Sequence, residues 1–239
     1  MPTKYREIYS SLLTMIEDNK VTPGELLPSE NELMTRFNAS RDTVRKSLLL
    51  LRENGYIQKN QGKGSIILDH KRMDFPVSGL TSFKELIPTM GKNVKTIVTC
   101  LEKMKADPSN QKRLHLSADD DIWYIERVRN VDGESIILDT DILNAQLIPG
   151  LTEEIVCDSL YSYIENVLHL KIGFARKEIT VQETSNNDLA LLDMKNWNSI
   201  VSVKSYSYLD NAVLFQYTES RHRPDKFRFV DFARRNHSV

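Results

Sequence analysis

Cysteine is nearly absent from this chain: Cys100 and Cys157 are the only two in 239 residues, and neither has a second cysteine or a histidine at metal-ligand spacing. A disulfide framework or a zinc site is therefore not expected, and no cofactor is predicted. The chain also lacks a run of about 18 apolar residues, the length that crosses a bilayer, and its first residues lack the apolar core of a secretory signal. These absences predict a cytoplasmic protein without a membrane partner.

Net charge is also scarce, because 32 Lys and Arg residues almost balance 33 Asp and Glu residues. The balance is not even along the chain, since residues 36–64 hold seven basic side chains and only two acidic ones. A compact positive segment inside a neutral protein is typical of a polyanion site, because neutralising phosphates releases condensed counterions. We therefore expect this segment to bind a nucleic acid.

Three short helices and a hairpin are predicted at the start of the chain. Apolar residues at helical spacing predict a helix over 5–19. A second helix over 29–38 opens with a Ser-x-x-Glu capping box, and a third over 40–53 opens with a serine N-cap. The pattern of 56–68 is that of a hairpin whose turn contains two glycines. Two helices joined by a tight turn and followed by a basic hairpin favour a winged helix-turn-helix.

The third helix carries cations in its first two turns, at Arg41, Arg45 and Lys46. Helical geometry places them on an outward sector, separate from the apolar side that contains Val44 and Leu51. Like charges four residues apart, close to the positive end of the helix dipole, cost free energy unless an anion binds. A merely solvated face is the alternative, and this cost favours DNA over it. The Gly-Lys-Gly of the hairpin lacks the spacer of a P-loop and is interpreted as a wing.

Residues 27–67, from LPSENEL to GKGSII, resemble the DNA-binding domain of the GntR family of bacterial repressors over its whole length. The resemblance implies contacts with a double-stranded DNA operator from Asn31, Ser40, Arg41, Thr43, Arg45, Gln61, Gly62, Lys63 and Gly64. Lys46 joins this set because it lies on the outward sector of the third helix. Residue chemistry favours Arg41 for a guanine edge, and Arg45 and Lys63 for phosphates or the minor groove.

Beyond a charged junction that includes Pro-Val-Ser-Gly, the pattern becomes mixed α/β. Two long hairpins are predicted, over 122–143 with Asp132-Gly133 as the turn and over 200–222 with Asp210-Asn211 as the turn. Helices are predicted over 82–89, 108–116, 152–170 and 185–194, and further strands over 95–101 and 176–183. The predicted fold is α+β: a winged helix-turn-helix at 1–70, a linker at 71–78, and an antiparallel sheet domain with helices at 79–239.

Two arginines of the first long hairpin, Arg127 and Arg129, share a strand face with Trp123, Ile125 and Val131. Exposed strand arginines more often lie among Thr, Lys and Glu. Two interpretations stay open at this point. The arginines are either snorkelling side chains at a sheet edge or a partly buried site for an anion such as a phosphate.

From about residue 76 onward the chain resembles the effector domain of the HutC branch of this family, a chorismate-lyase-like (UTRA) sheet that binds a small ligand, often a sugar phosphate. The stretches FPVSGLTSFKEL, DDDIW and LFQYTESRHRPDKFRFVDFARR resemble the members of the branch that regulate trehalose genes. This resemblance implies trehalose 6-phosphate as the effector.

Carried over residue by residue, the resemblance implies a phosphate site formed by Leu80, Thr81, Ser82, Phe83, Arg127 and Arg129. Backbone N–H groups at the start of the helix after Thr81 suit an anion for their own physical reason. The implied sugar-facing residues are Asp139, Ser159, Tyr161, Gln216, His222 and Arg223. Relatives that bind amino sugars usually have Glu in place of Gln216 and Tyr in place of His222, so their sugar is not expected. An ideal two-residue hairpin turns Asp139 away from Arg127, and only a bulge or a shifted register brings it into the pocket.

A sugar-phosphate enzyme is the alternative from another class. A glycosidase needs two carboxylates flanking a cleft, and the one acidic cluster, ADDDIW, is interpreted as a solvated turn. We therefore predict a repressor without catalytic residues. We expect a homodimer on a palindromic operator, because one recognition helix reads too few bases for genomic specificity.

Overall fold

The computed structural model describes residues 4–17, 20–60, 64–68, 83–85 and 93–229. The chain divides into two compact units, and the division falls within 69–82, outside the described residues. The linker predicted at 71–78 therefore stays a prediction. Within the described residues, no helix is both long and apolar enough to cross a membrane.

The first unit contains three helices and a hairpin: α1 (Lys4–Glu17), α2 (Glu30–Phe37), α3 (Arg41–Glu53), β1 (Ile57–Asn60) and β2 (Gly64–Ile67). These elements confirm the predicted winged helix-turn-helix. Buried apolar residues from every element form one core: Ile8, Leu12, Leu33, Val44, Leu51, Ile57 and Ile67. The hairpin is antiparallel, with Asn60 opposite Gly64, and its tip at 61–63 lies outside the described residues.

Local capping fixes the turn between α2 and α3. The Ser29 hydroxyl accepts from the Glu32 backbone N–H while the Glu32 carboxylate accepts from the Ser29 N–H, which completes the predicted capping box. Helix α2 ends at Asn38 in the left-handed conformation, with φ of 45°. Two residues later the Ser40 hydroxyl accepts from the Thr43 N–H and starts α3. The turn is therefore specified by residues close to it in sequence.

The second unit is one antiparallel sheet with short helices. Its elements are β3 (Val94–Lys105), α4 (Pro108–Leu114), β4 (Asp121–Val131), β5 (Glu134–Asn144), α5 (Glu153–Asp158), α6 (Leu160–Ser162), β6 (Ile172–Glu183), α7 (Asn186–Leu191), β7 (Ser199–Leu209) and β8 (Leu214–His222). The six strands lie in the order β3-β4-β5-β8-β7-β6. One face of the sheet packs against α5 and α6, where Ile125 and Leu143 meet Val156 and Leu160. These findings confirm the α+β prediction.

Two predictions for this unit need correction. The helix predicted over 152–170 is broken at Ser159, whose extended backbone (φ −159°) separates α5 from α6, and α6 continues as a π-helical turn over Tyr163–Val167. The second hairpin does not turn at Asp210-Asn211 alone, because β7 ends at Leu209 and β8 begins at Leu214. Of the helix predicted over 82–89, only residues 83–85 are described, and they are helical.

A bulge in the first long hairpin sets the register of β5. Asn130 lies opposite Ser135, but Arg129 lies opposite Ile137, so Ile136 has no partner on β4. The extra residue shifts every later pair by one and places Asp139 directly opposite Arg127. Asp139 therefore shares a face with the two arginines, which the ideal hairpin would not allow.

The hairpin turn generates a stability prediction. Gly133 follows Asp132, and both have positive φ (88° and 53°), as a type I′ turn requires. Gly133→Ala should destabilise the second unit by about 1–2 kcal/mol, because an L side chain is strained in the left-handed region. Gly133→Asn is the control, since asparagine tolerates that region better. Urea unfolding measures both variants, and equal free energies of unfolding for the two would contradict the turn assignment.

Candidate functional site

The N-terminal half of α3 presents a polar and basic surface. Arg41, Arg45 and Lys46 are exposed, whereas Val44 and Leu51 are buried in the core of the first unit. The helix therefore separates its two sectors as the sequence predicts. Of the other residues predicted to contact DNA, Asn31, Ser40 and Gly64 are exposed and Thr43 is half-buried, whereas Gln61, Gly62 and Lys63 lie outside the described residues.

The two arginines in the N-terminal half of α3, Arg41 and Arg45, have partners on α2. Arg41 Nη2 donates to Asn31 Oδ1 at 3.3 Å. Arg45 Nε lies 3.0 Å from Glu30 Oε2, and Lys59 of the wing strand β1 places its Nζ 3.6 Å from Glu30 Oε1. Partial burial alone would raise the pKa of Glu30, but these two cations outweigh it and lower that pKa. Glu30 thus places a negative charge between α3 and the wing strand β1. The sequence analysis did not predict this role for Glu30.

The second unit contains a cavity between its sheet and the α5–α6 segment, with an empty volume of about 1050 Å³ that includes its open mouth. Eight of the residues predicted to bind the effector line it: Phe83, Arg127, Arg129, Asp139, Ser159, Tyr161, Gln216 and His222. Leu80, Thr81 and Ser82 lie outside the described residues. The structure therefore brings together, around one cavity, residues of β4, β5, β8 and the α5–α6 region that the resemblance assigned to one site.

The prediction that Arg223 faces the sugar needs correction, because Arg223 is not among the residues that line the cavity. It follows His222 directly, so strand alternation turns it to the other side of the sheet. Its guanidinium is fully buried and donates to the carboxylates of Asp225 and Glu134 and to the backbone oxygen of Asp193. Arg223 therefore stabilises the end of β8 and is not a sugar-facing residue.

The two arginines of β4 are neither exposed nor at a sheet edge. Arg127 and Arg129 are 6% and 4% exposed, on a strand with neighbours on both sides. Arg127 Nη2 lies 2.5 Å from Asp141 Oδ2, and Arg129 Nε lies 2.9 Å from Asp139 Oδ2. Snorkelling is therefore wrong, and the arginines form two buried ion pairs that cross from β4 to β5.

Burial and charge act in opposite directions on these groups. Burial alone would raise the pKa of Asp139, but the guanidinium groups of Arg129 and Arg127 hold it below its ordinary value. Arg129 has its pKa lowered by burial and by the charge of Arg127. The ring of Phe83 covers the Arg129 guanidinium at 4.6 Å. Asp139 is thus ionised at neutral pH and forms an ion pair with Arg129.

Several cavity residues were not predicted: Lys84, Asp141, Lys177, Ser205, Thr218 and Ser220. A detectable signal existed for the last two, because Gln216, Thr218, Ser220 and His222 alternate along β8 and must share a face. Lys177 and Ser205 required the strand order, since they continue one cross-strand row, Asp141–Thr218–Ser205–Lys177, over β5, β8, β7 and β6.

His222 is a neutral group in this cavity. Burial lowers its pKa to about 4, and its ring meets Phe227 edge to face at a centroid distance of 5.1 Å. The imidazole is therefore uncharged at neutral pH. The cavity combines buried ion pairs with neutral hydrogen-bonding groups, a combination that suits a polar ligand with an anionic part.

Comparison with known proteins matches both units. Residues 4–67 match the family described as bacterial regulatory proteins, gntR family, and residues 89–228 match the UTRA domain. The HTH-type transcriptional regulator TreR of Bacillus subtilis is 48% identical over 235 residues, which cover 97% of this chain and 98% of that protein.

Solved structures give the same assignment. The possible transcriptional regulator YydK of Bacillus subtilis has a TM-score of 0.82 at 29% identity, over 98% of this chain and 100% of that one. The effector binding domain of the Bacillus subtilis trehalose repressor has a TM-score of 0.56 at 46% identity, over 60% of this chain and 99% of that one.

A winged helix-turn-helix joined to a ligand-binding sheet domain defines a DNA-binding transcriptional regulator. The similarity is spread over nearly the whole chain, so it covers the basic surface and the cavity alike. The chain belongs to the GntR family and carries a UTRA effector domain. Asp139 and Asp141 do bring two carboxylates into a cleft, but both are ion-paired with arginines, and the matched families are regulators, not enzymes.

The Glu30 contacts generate a prediction about DNA binding. Glu30→Gln should raise affinity for mixed-sequence duplex DNA by about two- to tenfold and steepen its salt dependence, because Arg45 and Lys59 become available to phosphates. Fluorescence anisotropy from about 50 to about 200 mM salt measures both effects. Glu32→Gln is the matched control, since it removes the same charge on the same helix from a carboxylate bound to Ser29. Equal effects of the two substitutions would show that Glu30 acts only through net charge.

The buried pairs generate a stability prediction. Asp139→Asn should cost about 3–5 kcal/mol of unfolding free energy, because it leaves Arg129 buried without its counter-charge. Asp158→Asn removes the exposed pair with Lys84 at the same cavity and should cost less than about 1 kcal/mol. Urea unfolding compares the two variants.

The difference in unfolding free energy between wild type and Asp139→Asn should depend on pH, because the pKa of Asp139 is lowered in the folded protein. The stabilisation is complete above the unfolded-state pKa of about 4 and is lost as pH falls through the folded-state pKa. The gap between wild type and Asp139→Asn should therefore narrow below about pH 4. A gap that stays constant into acid would contradict the ion pair as its cause.

Proposed function

We propose that the protein represses genes of trehalose uptake and use, and that trehalose 6-phosphate binding to the cavity releases it from a palindromic operator. The observation that carries the proposal is the cavity itself, which combines arginine forks with neutral hydrogen-bonding groups. The similarity of this chain to TreR of Bacillus subtilis, which is named as the trehalose repressor, supports the choice of trehalose 6-phosphate. A regulator that responds to a different sugar phosphate is the alternative.

The phosphate of the effector binds at the Arg127 and Arg129 end of the cavity. Arg127 supports this placement because its Nε is buried and has no hydrogen-bond partner among the described residues. Planar guanidinium forks suit a phosphate, and the backbone of 80–83 is the second element of this proposed site. The sugar hydroxyls then meet the neutral groups of Ser159, Tyr161, Gln216 and His222.

DNA binding is assigned to the α3 surface and the wing. Arg41 contacts a guanine edge, while Arg45 and Lys63 contact the backbone or the minor groove. Two copies are needed because one recognition helix reads too few bases, so the protein acts as a homodimer on a two-fold symmetric site. The effector acts by favouring one of two arrangements of the DNA-binding units, through the linker at 71–78.

One titration tests the effector. A duplex selected by the protein from a random-sequence pool is bound first, and trehalose 6-phosphate, trehalose and glucosamine 6-phosphate are then added in parallel. Trehalose 6-phosphate should release the DNA, whereas trehalose lacks the phosphate and glucosamine 6-phosphate lacks the second sugar. Release by glucosamine 6-phosphate alone, or by none of the three, would contradict the proposal.

Arg127→Lys supplies a variant for the same titration. Lysine keeps the charge beside Asp141 but loses the fork and the Nε donor. DNA binding should persist, and at least about ten times more trehalose 6-phosphate should be needed for release. If the variant needs no more trehalose 6-phosphate than wild type for release, the phosphate does not bind at Arg127.

A further inference from the structure

Asp141 is the most heavily hydrogen-bonded carboxylate of the cavity. It lies on β5, is 1% exposed, and accepts from three side chains on the two flanking strands. Arg127 Nη2 of β4 donates to Oδ2 at 2.5 Å. Gln216 Nε2 and Thr218 Oγ1 of β8 both donate to Oδ1, at 2.8 and 2.7 Å. Both oxygens of Asp141 are therefore used by the protein itself.

This arrangement fixes the orientation of the Gln216 amide. A carboxylate accepts hydrogen bonds and donates none, so the amide nitrogen of Gln216 must face Asp141. The amide oxygen then points elsewhere, and it is buried without a hydrogen-bond partner among the described residues. Gln216 is 2% exposed and is one of the residues that line the cavity, so a ligand bound there is the natural source of a donor for this oxygen.

A buried acceptor without a donor costs free energy, which a ligand recovers by supplying the donor. A flipped amide would place two acceptors against each other at Asp141 and two donors toward the cavity. Asp141 thus decides which hydrogen-bonding group the ligand meets, although Gln216 makes the contact.

We propose that Asp141 is a positioning residue that fixes Gln216 as a hydrogen-bond acceptor, so that the cavity selects a ligand hydroxyl at this point and rejects a group that can only accept, such as a carboxylate. The inference rests on the proposed function and deepens it. It names the group that the phosphorylated sugar must offer at Gln216.

The test in the ligand-free protein uses Gln216→Glu, which places a second carboxylate against Asp141. One of the two carboxylates then takes a raised pKa, so its stabilising proton is lost as pH rises. The Tm of the variant relative to wild type should be lower at about pH 8 than at about pH 5.5, by at least about 5 °C. The nearby Arg127, Asp139, Lys177 and His222 are common to both proteins, and the wild-type profile accounts for them.

The rescue variant is Asp141→Asn combined with Gln216→Glu, which exchanges the amide and the carboxylate. The introduced asparagine can donate to the introduced glutamate and still accept from Arg127, so the extra pH dependence should disappear. Thr218→Val is the matched control, because it removes the other donor to the same oxygen without adding a charge. It should lower the Tm equally at both pH values.

Calorimetry with trehalose 6-phosphate gives the second readout. At about pH 8, Gln216→Glu should weaken binding at least tenfold, and the double variant should recover most of the loss. Asp141→Asn alone should also weaken binding, because the Gln216 amide is then free to turn. No pH dependence in Gln216→Glu, or no recovery in the double variant, would overturn the role of Asp141. Absence of binding to the wild-type protein would instead contradict the proposed function.

Discussion

Two guanidinium groups inside a protein cost several kcal/mol each unless carboxylates meet them with good geometry. The second unit meets this constraint with two carboxylates of β5, one opposite Arg127 and the other two residues further along. The pairing depends on the unpaired Ile136, because without that bulge Asp139 and Asp141 would lie on the opposite face of the sheet. The charged part of the cavity lining follows from this arrangement of two strands.

The same residue type has opposite roles in the two units. Arg41 and Arg45 are exposed and contact polar side chains of α2, Asn31 and Glu30. Arg127 and Arg129 are buried and paired with the buried carboxylates of Asp141 and Asp139. In the function that we propose, the phosphate of the effector meets donors whose positions are already fixed, whereas a DNA phosphate replaces the Asn31 amide at Arg41 and the Glu30 carboxylate at Arg45.

Local signals in the sequence predicted much of the fold. The capping box of α2, the N-cap of α3 and the Asp132-Gly133 turn each depend on residues no more than three apart, so they can be read directly. The bulge at Ile136 could only be named as a condition, because it depends on the pairing of whole strands. Glu30 and Asp141 were missed for a related reason, since their partners lie 15 residues or 75 residues away in sequence. Arg223 was misplaced because the resemblance gave a position without its strand face.

The bulge at Ile136 also decides which side chains of β5 point into the cavity. Whether a residue beyond the turn points into the cavity depends on an odd or even count from Gly133, and one extra residue reverses the answer for all that follow. With the count as it stands, aspartates enter the cavity and Leu138 enters the opposite core. Removal of one residue would place Leu138 in the cavity and two charges in the core. Within this strand, the length of the segment therefore specifies the site as strictly as the identity of its residues.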